Sequence, residues 1–182
     1  MLCNTTLHAA AYVLMKSPFR AMAPRKLASL LYIAERMHAR THGHLFTYCN
    51  HISTPDGPIQ AEMRDVLLKG YNSMWWKHLM EWRAGGNLMV LRQDVTILHL
   101  DHLSEAIIGT LDEMLRTFGR CTQSEIYTWM VQNCSEWNRD DPEGEITSLE
   151  MFRAVGSKDP EARAQDADDQ TRIHRLFKTL GA

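Results

Sequence analysis

The residues best suited to chemistry are histidines. His38 and His42 stand four apart, a spacing that sets two imidazoles on one helix face and suits a shared metal, and His44, Cys49 and His51 follow closely. The pattern is not that of a zinc protease. Ala39 and Arg40 follow His38, so the general-base glutamate of HExxH is missing. Polar histidines near a helix C-terminus, where the dipole favours a cation, account for the same residues without a metal. Nucleophilic catalysis needs a Cys or Ser beside a base and an orienting acid. The sequence has no GxSxG, P-loop or dinucleotide fingerprint. The pairs Asp112-Glu113 and Asp140-Asp141 read as a helix face and a turn. Cys3, Cys49, Cys121 and Cys134 are dispersed without a CxxC, as expected of reduced, mostly buried thiols. These readings predict no enzyme, no metal site and no cofactor.

A second feature is the aromatic run with Trp75, Trp76 and Trp82. On a helix, Trp75, Leu79 and Trp82 share one face, while Trp76 and Met80 point about 100° away from Trp75. One neighbour does not easily bury both faces. The segment is therefore either enclosed by the domain or leaves one face open to supply the large anchors found at interface hot spots. Base stacking would call for interleaved basic residues, which are missing.

The elements that position these residues belong to a chain of 182 residues with 45% hydrophobic and 23% charged residues, enough for one globular core. The net charge of −2 gives no global positive field, so no nucleic-acid partner is expected, and Lys16, Arg20, Arg25 and Lys26 read as a solvated helix junction. No apolar stretch approaches the roughly 20 residues of a membrane span, which predicts a cytoplasmic protein with no membrane partner.

Asn4 to Met15 reads as a helix ended by Pro18, and Pro24 opens a stronger one whose Leu27, Leu30, Leu31, Ala34 and Met37 form a stripe up to Gly43. Leu45 to Ile52 suits an extended segment before the turn Pro55-Asp56-Gly57-Pro58. A third helix is expected from Pro58 to Gly70, and a short one from Tyr71 to Arg83. Asn87 to Leu91 and Val95 to Leu100 read as a hairpin around Arg92-Gln93-Asp94. Ser104 caps a helix closed by Gly119, and Thr122 with Glu125, then Thr147 with Glu150, fit capping boxes. Pro160 starts a last helix whose first half, with Asp166, Asp168 and Asp169, is polar. The fold class is mainly α with a small β element (α+β): a compact helical domain over 1–156 and a C-terminal helical extension over 157–182.

In this order of elements the stretch Lys26 to His38 (KLASLLYIAERMH), then Gly43, Gly57-Pro58-Ile59, Asp65 to Gly70, Leu103-Ser104-Glu105, Leu111-Asp112-Glu113, Phe118-Gly119, Glu136-Trp137 and Ile146 to Met151 resembles the Panacea domain, the SocA-like antitoxin family. The similarity covers about residues 7–156. Family members often carry His or Tyr before the Gly-Pro pair, where this chain has Asp56. The resemblance implies a protein partner, a toxin neutralised by direct contact, with delivery of the toxin to a protease in some members. Its alternatives are a phage-encoded inhibitor of a host defence protein, a metal-dependent enzyme and a transcription regulator. The expected partner-binding residues are Asp56, Gly57 and Pro58 in the turn and Trp75, Trp76 and Met80 in the aromatic segment.

Overall fold

The structure, a computed structural model, describes residues 4–64, 74–83 and 87–179. Helix α1 (Asn4–Lys16) is buried continuously from Thr5 to Leu14, with Ala9, Ala10 and Ala11 closed to solvent. Burial on all sides makes it an interior helix rather than an amphipathic surface one. Against it lies α2 (Pro24–His42), which starts on a proline that needs no N–H partner and ends at Gly43, whose left-handed φ of 72° lets its N–H bond to Ala39 O. Leu27, Leu30, Leu31 and Ala34 from the predicted stripe are all fully buried.

Three further helices start where their caps predict. Ser104 accepts from Ile107 N–H at the start of α4 (Glu105–Phe118), after the short α3 (Met74–Lys77). Reciprocal capping boxes open α5 (Gln123–Asn133) and α6 (Ser148–Ala154). The last helix, α7 (Pro160–Thr179), is largely exposed in its first half but packs Ala164 with Ala39 and Phe152 in a satellite core. Among the described residues no helix is long and apolar enough to cross a membrane.

The β content forms two three-stranded antiparallel sheets. The first has the order β1 (Ala21–Met22), β5 (Leu88–Leu91), β4 (Met80–Arg83), and the second β3 (Ile59–Gln60), β2 (His51–Ile52), β6 (Glu145–Ile146). The hairpin is thus shifted upstream of its predicted place. Leu88–Leu91 pairs with Met80–Arg83, in register Trp82↔Met89, and not with Val95–Leu100, where Thr96 caps a 3-10 turn, Ile97–His99, through the His99 ring. The helix expected over Tyr71 to Arg83 is confined, among the described residues, to Met74–Lys77. Met80-Glu81-Trp82-Arg83 alternates apolar and charged side chains, the period of a half-buried strand, and only Met80 and Trp82 turn inward. The third helix also starts later than expected. Ile59 and Gln60 pair with Ile52 and His51, Ala61 N–H continues the ladder to Asn50 O, and 61–64 are helical; 65–70 lie outside the described residues.

Candidate protein-binding surface

The Thr54–Gly57 turn closes the β2–β3 hairpin, with Thr54 N–H and Gly57 N–H each bonded to the other residue's carbonyl. Trp137 Nε1 donates to Thr54 O at 3.0 Å and Asn138 N–H donates to Ser53 Oγ, so the turn is braced from outside the hairpin. Of the three predicted turn residues only Asp56 is exposed, paired with Arg25; Gly57 and Pro58 are buried. Gly57 has φ 136°, a region almost reserved for glycine, and a Cβ there would stand 2.5 Å from Met130 Cε. Gly57→Ala is expected to lower the unfolding free energy by about 2 kcal/mol, measured by urea denaturation, most of it from backbone strain because the Met130 methyl can move. Beside the turn, Arg25, Ser29, Asp56, Arg64, Gln123 and Glu143 line much of a cavity of about 290 Å³, whose rim carries the Arg25–Asp56 and Arg64–Glu143 ion pairs.

A buried polar cluster holds this hairpin on α2. Glu35 accepts from Phe46 N–H (2.8 Å) and Thr47 N–H (3.0 Å) on one oxygen, and from the Thr47 hydroxyl (2.7 Å) and the Gln60 amide (3.0 Å) on the other. His51 Nε2 stands 4.0 Å from the same carboxylate, and its ring meets Tyr32 edge to face. Burial pushes Glu35 up to about 7 against the pull of its four hydrogen bonds, and pushes His51 down to about 4. Next to it Tyr32 donates to Glu136 (2.7 Å), Arg36 Nε approaches the same oxygen at 2.9 Å without hydrogen-bond alignment, and Arg36 Nη1 reaches Cys134 Sγ. Burial raises the Cys134 thiol to about 12, which keeps it protonated and unreactive. Tyr32, Glu35, Glu136 and Trp137 are therefore interior groups that fix the hairpin.

In the aromatic half of the predicted surface, the described residues follow the enclosed alternative. Trp76 and Met80 are 0% and 1% exposed and belong to the main core, and Met80 lies in the sheet that does not contain the Asp56 turn. The helical reading let Trp76 and Met80 share an outer face, but the chain becomes a strand at Met80 and turns it inward. The Trp75 side chain lies outside the described residues.

The histidines cluster without forming the site their spacing evoked. His38 and His42 rings lie 4.4 Å apart and His38 Nε2 is 3.2 Å from His44 Nε2, while His38 Nδ1 is 2.9 Å from the Thr110 hydroxyl. Burial, reinforced by His42 and His44, holds His38 down to about 4. Cys49 lies apart, contacting Thr6 and Glu62. These histidines do not bring three donor atoms within 4.8 Å of one another.

Sequence reasoning missed the most exposed apolar residues. Phe19 is 96% and Leu98 88% exposed, with Ile97 beside it at 47%. Phe19 and Arg20 both have left-handed backbone, φ 57° and 53°, a conformation that costs a non-glycine residue about 1–2 kcal/mol. It is held by the Arg20 guanidinium, which donates to Val95 O (2.6 Å) and Arg92 O (3.0 Å) and so ties the Pro18–Arg20 turn to the loop that runs into Ile97–His99. Locally Pro18-Phe19-Arg20 reads only as a helix stop; the outward aromatic depends on the distant Val95 carbonyl. The fold is thus that of a mainly helical α+β protein, with exposed apolar side chains on the Pro18–Arg20 turn and on the Ile97–His99 turn. Compared with protein families, curated proteins and solved structures, the chain matches none of them.

Proposed function

We propose that this protein is an antitoxin-like binding protein that neutralises a toxin by direct contact, with the exposed Phe19, Ile97 and Leu98 as its anchor residues. The observation that carries this reading is Phe19, a large aromatic 96% exposed on backbone that is strained for any residue but glycine. Backbone strain persists where the surrounding structure over-determines it, and its usual place is a functional site. An exposed aromatic, with exposed Ile97 and Leu98 on the segment just after the Arg92 and Val95 carbonyls that Arg20 bonds, offers large apolar side chains a partner can bury. The Panacea-like order of residues supplies the class of partner. Asp56, exposed in the braced turn, is a second contact in this proposal, and its charge suits the rim of an interface.

The test is co-expression with the product of the neighbouring reading frame, scoring growth rescue and co-purification. Rescue and co-purification by the wild-type chain are expected. Loss of both for the wild type removes the antitoxin reading. Phe19→Gly relieves the left-handed strain while adding chain entropy to the unfolded state, so it is expected to change stability by less than about 1 kcal/mol while abolishing rescue.

A further inference from the structure

The N-terminal half of α1 and the turn before α4 bring together three side chains that the binding surface does not use. His8 lies on α1, and Asp101 and His102 are consecutive residues just ahead of the Ser104 cap. Asp101 Oδ1 stands 3.6 Å from His8 Nδ1 and 3.9 Å from His102 Nε2, and the three donor atoms all lie within 4.8 Å of one another. The two imidazoles meet edge to face with centroids 4.9 Å apart. Among the described residues this is the one group of three or more His, Cys, Asp or Glu side chains with that geometry.

Ligands of a tetrahedral zinc ion, bonded at about 2.0–2.1 Å, stand about 3.3–3.4 Å apart. The distances to Asp101 exceed this by some tenths of an ångström. The side chains that must move are those free to do so, since Asp101 and His102 are 78% and 46% exposed, whereas His8 is held at 11%. His8 Nδ1 accepts from His102 N–H at 3.3 Å, a long hydrogen bond that the ion would displace. His102 Nε2 meets Asn4 Nδ2 at 3.2 Å, a contact the ion would replace. Two imidazoles and one carboxylate form a donor set for zinc-like divalent transition metals rather than for calcium or magnesium, which favour oxygen. The exposure of Asp101 and His102 leaves the remaining coordination position open to water.

We propose that His8, Asp101 and His102 bind one divalent transition-metal ion of the zinc class, which staples α1 to the start of α4 across a sequence separation of more than ninety residues. The experiment uses the full chain, stripped with a chelator and titrated with Zn²⁺ in a calorimeter, with Co²⁺ absorption as a second readout of coordination. One equivalent of Zn²⁺ and a thermal midpoint raised by several degrees at saturating metal are expected. His102→Ala and Asp101→Asn, both at exposed positions, should keep the wild-type circular dichroism and weaken Zn²⁺ binding by about 100-fold or more. His44→Ala, which removes an imidazole from the other cluster, should retain the full equivalent. Absence of stoichiometric Zn²⁺ in the wild type, wild-type affinity in His102→Ala, or loss of the ion in His44→Ala would each overturn the proposal.

Discussion

Glu35→Ala is expected to lower the unfolding free energy by about 3–5 kcal/mol, the range seen when one partner of a buried charged network is removed. The substitution strands Phe46 N–H, Thr47 N–H, the Thr47 hydroxyl and the Gln60 amide in the interior, and each unpaired buried group costs about 1–3 kcal/mol before relaxation. Urea denaturation measures the loss, and a change below about 1 kcal/mol would show that the cluster does not hold the hairpin. The pH profile carries an independent signature. Because the Glu35 carboxyl is raised to about 7 from 4.5, its contribution to stability is full below pH 4.5 and is lost as pH rises through 7. His51 and His38, lowered to about 4 from 6.5, act in the opposite sense: their contribution is full above 6.5 and is lost as pH falls toward 4. The terms nearly cancel between pH 8 and about 6.5, so the wild type should be flat there. Glu35→Gln removes one side of the balance, and its stability should begin to fall already near pH 7.

Trp76→Ala should cost about 3–5 kcal/mol, the range for removing a buried large aromatic. Its side chain is fully enclosed in the main core, so its removal leaves a large void there. Trp76→Phe should recover most of the loss. A stability loss under about 1 kcal/mol together with lost partner binding would return Trp76 to the interface that its sequence context evoked.

What the sequence made legible was local. Pro24, Gly43, Ser104, Thr122 with Glu125, and Thr147 with Glu150 mark helix ends by chemistry confined to one turn, and the helices begin or end at those residues. The strands depend on remote partners. His51–Ile52 is two residues long and exists because Gln60, Ile146 and the Glu35 carboxylate meet it from other parts of the chain. Met80–Arg83 carried a readable alternation, but Trp75, Leu79 and Trp82 also fit one helical face, and the helical period was the wrong one. The candidate site divided along the same line. The Asp56 turn was announced by its Pro and Gly residues, whereas the outward Phe19 is produced by an arginine reaching a carbonyl 75 positions away. Nothing within Pro18-Phe19-Arg20 encodes that contact.

The most direct test of the binding account is the affinity of the purified protein for the product of the neighbouring reading frame, measured by calorimetry for the wild type and for Phe19→Ala combined with Leu98→Ala. Two hot-spot side chains lost from one interface correspond to an affinity at least about 100-fold weaker. The account predicts that loss with an unchanged thermal midpoint, since both side chains are exposed. Wild-type affinity in the double variant would contradict it.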